Sequence, residues 1–245
     1  MSMNVLKRQG LEFEWIDSRE PENVAKHIRH NTKLVHVETP TNPLLELCDL
    51  QATSAICKKA GVLLSVDNTF MSPYGQRPLE YGVDVVMQSS TKSLSGHSDI
   101  LGGVLTTNND ELGERIRFML KATGGVPSPF DNWILLRSVK TLSLRYQKSS
   151  ENAFKLAQWL SNEYDLKRVI YPGLESHPQF EIAKKQQFSP DGINVFGNMI
   201  SIDVEKIDLR DKFLDKLKVI TLAESLGGVE SLCCVPYDMT HAAVP

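Results

Sequence analysis

Lys92 stands in a run of small hydroxyl residues, Gln88-Ser89-Ser90-Thr91-Lys92-Ser93-Leu94-Ser95, and the turn sequence Gly96-His97-Ser98-Asp99 follows directly. A primary amine among hydroxyls can anchor an aldehyde cofactor as a Schiff base while the hydroxyls hold its phosphate. Alone, the same lysine reads as a solvated loop residue, the commoner place for that side chain. Other residues favour the first reading. Asp67 supplies a carboxylate that beside a pyridine nitrogen would keep the ring protonated, so that the ring serves as an electron sink. By itself Asp67 would only cap the Asp-Asn-Thr turn. Ser89 and Thr91 are the phosphate-holding hydroxyls, or else satisfy loop backbone groups. Asn42 can reach the cofactor's phenolic oxygen or brace the turn between Pro40 and Pro43, and Thr69 joins the cofactor-binding set.

These residues lie where strands end. Lys33–Glu38 reads as a strand closed by Thr39-Pro40-Thr41-Asn42-Pro43, whose prolines forbid regular structure. Val62–Val66 is a nearly continuous apolar strand, as expected of a sheet covered on both faces, and runs into Asp67-Asn68-Thr69-Phe70. Val83–Met87 and Ile100–Leu105 are strands on either side of the lysine loop. Residues 11–16, Leu-Glu-Phe-Glu-Trp-Ile, alternate apolar and polar and predict a further strand. Helices are predicted over 21–30, with Pro21 in the first turn, and over 49–60, with Asp49 as N-cap and Gly61 as the stop. Alternating strands and helices make a mostly parallel sheet, and ligands gather beyond the carboxyl ends of its strands.

The second half begins with a helix over 110–121 and a break at Gly124–Pro129. A long helical pattern from Phe130 to Glu163 follows. Its length suggests a bend between domains near Ser143, giving 1–143 as part of a large domain and 144–245 as part of a smaller C-terminal α+β domain. Strands at 168–171 and 197–204 and a helix at 209–217 complete the pattern.

The chain has 245 residues and a formal net charge of −3, which excludes a strongly basic nucleic-acid surface. No apolar run approaches the ~20 residues of a membrane span, and the first residues lack the apolar core of a signal peptide. Cys48, Cys57, Cys233 and Cys234 contain no C-x-x-C pair and, with six scattered histidines, make no zinc pattern. A cytoplasmic protein with reduced thiols, no metal, no nucleic-acid partner and no membrane is expected. No Gly-x-Gly-x-x-Gly turn follows an early strand, which disfavours a nucleotide-binding α/β domain.

Four segments together resemble the Cys/Met-metabolism family of pyridoxal-phosphate enzymes. They are Glu38-Thr39-Pro40-Thr41-Asn42-Pro43, Val66-Asp67-Asn68-Thr69-Phe70, Ser89-Ser90-Thr91-Lys92 with Gly96-His97-Ser98-Asp99, and Ala223-Glu224-Ser225-Leu226-Gly227-Gly228. The resemblance extends through Pro127-Ser128-Pro129, Lys140-Thr141-Leu142, Tyr171-Pro172-Gly173-Leu174 and Met239-Thr240-His241. It implies an α/β fold of the aspartate-aminotransferase type, fold type I, with pyridoxal 5'-phosphate as cofactor. Lys92 would be the Schiff-base lysine, Asp67 the pyridinium partner, and Ser89 and Thr91 phosphate ligands. Ser225 would hold the substrate carboxylate and Glu224 would face the distal part of the amino acid.

The Glu224-Ser225-Leu226-Gly227-Gly228 form is similar to that of cystathionine gamma-lyases and gamma-synthases. The expected reaction is gamma-elimination of cystathionine, in a homo-oligomer that in the family is a dimer of dimers. Gamma-synthase and beta-lyase chemistries share Lys92 and Asp67 and stay open, as does a non-catalytic scaffold that associates with a longer relative. By resemblance the chain begins just after the family's ring-stacking tyrosine and stops before its carboxylate-binding arginine. Ser93 departs from the pattern, since relatives place an aromatic residue there.

Overall fold

The computed structural model describes residues 6–164, 166, 168–204 and 206–239. Thr240 and His241 of the last quoted motif lie outside the described residues, as does the chain end after them. Three parallel strands, β1 (Leu34–Glu38), β2 (Leu63–Asp67) and β3 (Val85–Ser89), lie side by side in sequence order. A fourth, β4 (Gly103–Thr106), runs antiparallel to β3. Helix α1 (Pro21–His27) precedes the sheet, and α2 (Leu50–Ala60) is the crossover between β1 and β2. The Asp49 side chain accepts the Ala52 amide at 3.0 Å, and Gly61 ends the helix, as the sequence predicts. Leu64 and Val66 of β2 are fully buried against Val24, Leu50, Cys57 and Val86 in the main core. Burying four or five such side chains contributes roughly 1.5–3 kcal/mol each before entropy is charged.

Residues 11–16 form no strand. Their alternation is real, but a strand also needs a neighbouring edge to bond its backbone, and no described strand offers one. Leu11, Phe13 and Trp15 stay exposed while Ile16 alone leans on the main core.

Helix α3 (Ser72–Gly75) follows β2, and α4 (Asp110–Thr123) follows β4. The long helical pattern divides into α5 (Pro129–Ser138) and α6 (Leu142–Glu163), joined by a tighter turn at Val139–Thr141. Tyr146 of α6, 1% exposed, donates to the Phe70 carbonyl at 2.6 Å and so ties the helix to the end of β2. Beyond α6, β5 (Arg168–Ile170) and β6 (Ser201–Asp203) form an antiparallel pair shorter than the sequence suggests. Gly197 falls outside it, its carbonyl accepting the Tyr171 hydroxyl at 2.9 Å instead of a strand partner. Helix α7 (Phe180–Gln186), helix α8 (Ile207–Asp215) and the parallel pair β7 (Thr221–Leu222) and β8 (Leu232–Cys233) complete the described chain.

The turn after β1 and helix α7 meet through buried amides. Gln76 donates to the Thr39 carbonyl and to Asn68 Oδ1, and accepts from Gln186. Gln186 also donates to the Cys48 carbonyl at 3.1 Å and accepts the Leu50 amide at 3.2 Å. Gln179 grips the backbone N–H and carbonyl of Leu47. The side-chain amides of Gln76, Gln179 and Gln186 are all paired, so they specify a geometry, whereas buried Gln187 at the end of α7 leaves both its side-chain polar atoms without a partner among the described residues. Among the described residues no helix is long and apolar enough to cross a membrane.

Candidate active site

The parallel register sets the first half of the site. Glu38 lies opposite Asp67 at the carboxyl ends of β1 and β2, and Asp67 lies opposite Met87, so that Ser89 stands one strand over and two residues on. Asp67 Oδ1 accepts the Thr69 amide at 2.9 Å, and Thr69 Oγ1 accepts the Ser89 amide at 2.9 Å. On the other flank the Asn42 amide donates to Glu38 Oε1 at 3.1 Å. Asn42, Glu38, Asp67, Thr69 and Ser89 therefore form one continuous arc across three strand ends.

The chain leaves β3 into a wide turn over Ser90–Leu94. The Ser95 amide bonds back to the Ser90 carbonyl at 3.1 Å and the Gly96 amide to the Lys92 carbonyl at 2.8 Å. Lys92 sits inside with φ −90° and ψ −132°, outside helical values. Gly102 pinches the base of the turn: its carbonyl takes the Ser90 amide at 2.9 Å and its N–H donates to Thr91 Oγ1 at 3.0 Å. Ser90 is 1% exposed, while Ser89 and Thr91 on either side keep part of their surface open.

The second half arrives from far along the chain. Lys92 Nζ donates to Ser225 Oγ at 3.1 Å. Ser225 has φ +102°, a conformation costing a non-glycine residue on the order of 1–3 kcal/mol and typical of functional sites. The segment is held by the Ala223 amide on the Cys233 carbonyl, by Leu226 packed on Leu45, Phe70 and Ile170, and by a hydrogen bond of 2.6 Å from Ser98 to Glu230. Gly227 lies so close that a Cβ would come within 2.5 Å of the Ser93 amide, so only glycine fits against the turn.

Electrostatics follow from this packing. Burial holds the Lys92 amine below its ordinary range, while the charges of Glu224 and Cys234 pull it partly back up. Glu38 is pushed up to about 7, first by desolvation and then by the Asp67 carboxylate, with the Asn42 amide opposing. Glu38 nonetheless keeps an exposed edge, so solvent screening leaves it a smaller energy than that value suggests.

The structure thus brings Lys92, Asp67, Thr69, Ser89, Thr91, Asn42 and Ser225 to one place, with Glu224 close enough to act on the lysine charge. The donor set suits a phosphorylated pyridine aldehyde: an amine whose charged form burial disfavours, a carboxylate at the next strand end, and between them the half-buried hydroxyls of Ser89 and Thr91, the latter bonded to the backbone of Gly102. Two residues of this neighbourhood have no role in the sequence reading. Glu38 is there only part of the Pro-flanked motif, although its place at a strand end beside Asp67 was available as a signal. Arg145 hydrogen-bonds the carbonyls of Ser93 and Leu94 at 2.8 and 3.2 Å, and in sequence it is an ordinary polar position on a helix.

The whole chain, residues 1–245, matches the family described as Cys/Met metabolism PLP-dependent enzyme. It is 49% identical over 241 residues to a cystathionine gamma-lyase of Bacillus subtilis (strain 168), covering 98% of this chain and 62% of the relative. It is 46% identical over 246 residues to a cystathionine beta-lyase of Coxiella burnetii, covering 99% of this chain and 62% of the relative. The crystal structure of cystathionine gamma-lyase from Lactobacillus plantarum complexed with L-serine superposes with a TM-score of 0.94 at 41% identity, covering 100% of this chain and 63% of that one. The chain spans less than two thirds of the length of these relatives. It belongs to the Cys/Met-metabolism family of PLP-dependent enzymes, has fold type I, and takes pyridoxal 5'-phosphate as its cofactor.

Proposed function

From that family membership, we propose that the protein cleaves the C–S bond of cystathionine by gamma-elimination, giving cysteine, 2-oxobutanoate and ammonia. The observation that carries the reading is the hydrogen bond of 3.1 Å between Lys92 Nζ and Ser225 Oγ, which sets Glu224 and Ser225 beside the reactive amine. Lys92 would hold the cofactor through its amine, with Asp67 at the ring nitrogen, Ser89, Thr91 and Thr69 on the phosphate side, and Asn42 at the phenolic oxygen. When bound, the protonated pyridine ring supplies an acceptor for the electron pair left at the substrate α-carbon.

The remaining chemistry belongs to the chain. Burial lowers the proton affinity of the Lys92 amine and so favours its neutral form, in which Nζ can take the α-proton and then move a β-proton before the C–S bond breaks. Ser225 keeps Nζ on the reacting side, and Glu224 faces the distal ammonium of the substrate. The Asp67 carboxylate holds a proton on the ring nitrogen.

Beta-elimination, giving homocysteine and pyruvate, is the second reading, supported by the 46% identity to the Coxiella burnetii beta-lyase. The proposal extends to a homo-oligomer in the cytoplasm; its association, not its location, is supported by Phe118, Phe130, Trp133, Leu136 and Leu144, which stay 60–70% exposed on α4, α5 and the start of α6. The test is to incubate purified protein with pyridoxal phosphate, reduce with borohydride, map the adduct, and assay cystathionine turnover. An adduct at Lys92 with 2-oxobutanoate as product supports the proposal. Pyruvate selects the second reading. No adduct at Lys92 means that this chain serves as a scaffold and not as the catalyst.

A further inference from the structure

Arg145 occupies a position that its own helix does not favour. It lies in the first turn of α6, where a positive charge faces the positive end of the helix dipole. Its hydrogen bonds run to oxygens from two segments. Nη1 donates to the Ser93 carbonyl at 2.8 Å, and Nη2 donates to the carbonyls of Leu94 at 3.2 Å and Ser138 at 3.0 Å. Nε donates to Thr141 Oγ1 at 3.0 Å. The turn leaves room for the guanidinium through Gly96, φ +71°, where any Cβ would overlap it. The planar fork thus joins the bend between α5 and α6 to the backbone that leaves Lys92.

We propose that Arg145 is a positioning residue for Lys92: by fastening the carbonyls of Ser93 and Leu94, it fixes where the lysine amine stands against Ser225 and the cofactor. This rests on the reading of Lys92 as the reacting amine. Lys92 adopts its non-helical backbone in the middle of the turn, so the residues after it must be held for Nζ to keep its place. Gly227 bears on the same Lys92–Ser93 backbone from the C-terminal segment, and Arg145 is the counter-hold from the helical side. Lysine at 145 cannot replace it, because a single ammonium cannot span three carbonyls on two segments.

The test uses Arg145→Ala and Arg145→Lys in the purified protein, with Arg117→Ala on exposed α4 as control. Wild-type labelling at Lys92 by pyridoxal phosphate and borohydride comes first. If it is absent, the site reading fails and this inference goes with it, before any variant is made. With labelling present, Arg145→Ala should keep its circular dichroism and lower kcat by about 100-fold, the cost of an ångström-scale misplacement, with KM little changed. The basic shift of its pH–rate profile should report an amine released toward water. Amide exchange at Ser95 and Gly96 should quicken while exchange in β2 does not, a readout that needs no cofactor. Methylguanidinium should restore part of the rate to Arg145→Ala, and Arg145→Lys should stay impaired. Unchanged kcat, pH profile and exchange in a folded Arg145→Ala would overturn the inference. So would unfolding of both variants, which would make Arg145 a purely structural residue.

Discussion

The two halves of the site are built in different ways. Asp67, Thr69 and Ser89 stand at the ends of strands bonded on both sides, beside a core whose residues Leu64 and Val66 are fully buried. Glu224 and Ser225 come from a segment secured by two-residue strands, one close glycine contact and a hydrogen bond from Ser98. The proposed cofactor side is fixed by backbone ladders, and the proposed substrate side by a few side-chain and glycine contacts. Electron-sink chemistry is common to lyases and synthases that differ in their substrates, so in the proposed function the rigid half would carry what they share and the lightly held half what distinguishes them. Lys92 belongs to the first by its turn and touches the second through Ser225.

Substitutions across this divide should therefore fail differently. Lys92→Ala has the largest expected effect: no borohydride-fixed adduct, and a loss of roughly 10²–10⁴-fold in turnover, read by absorbance and product assay. A variant that kept its rate would end the proposed mechanism. Asp67→Ala should still label at Lys92 while losing about 10²–10³-fold in kcat, since it removes a fixed charge aimed at the developing one. Ser225→Ala and Glu224→Gln should label normally. The first should raise KM by about 2–10-fold, the worth of one hydrogen bond, and the second should change the ratio of 2-oxobutanoate to pyruvate. If either abolished labelling, the division into halves would be wrong.

The smallest effect concerns Glu38. Its carboxyl is raised from 4.5 to about 7 in the folded chain, so the protonated form is the one the fold favours. The associated stability is fully present below pH 4.5 and fades as pH rises through 7. Glu38→Gln, which cannot ionise, should escape that loss. Its melting temperature relative to wild type should rise between pH 4.5 and pH 7 by only a small amount, since the residue is partly solvated.

Much of the rigid half was legible in the sequence. An apolar run that ends in a polar residue marks a strand end, and three such ends pointed to Asn42, Asp67 and Ser89 from the sequence, with Glu38 beside them given no role of its own. Pairing was not legible: residues 11–16 carry as clean an alternation as any stretch of the chain, yet lack an edge to join. Periodicity records which face a segment could bury and says nothing about what covers it. The same limit applies to α4, whose first turn is capped by Asn109 as well as Asp49 caps α2, and which buries none of its residues. Arg145 was hidden for a different reason. Its partners are main-chain carbonyls some fifty residues away in sequence, and carbonyls carry no sequence signature.

The amide network between the sheet-end loop and α7 bears on the order in which the chain can assemble. Gln186 reaches Cys48 and Leu50 across sequence separations of 138 and 136 residues. During synthesis, Cys48 and its neighbours emerge long before the residue that completes their bonding. Until α7 leaves the ribosome, the loop after β1 must remain hydrated or make provisional contacts, because closing it dry would strand the Cys48 carbonyl and the Leu50 amide. The β1–α2–β2 unit can gather its apolar core early, whereas the bonds that close Leu47, Cys48 and Leu50 wait for α7. The ribosome thus releases a sheet before it releases a site.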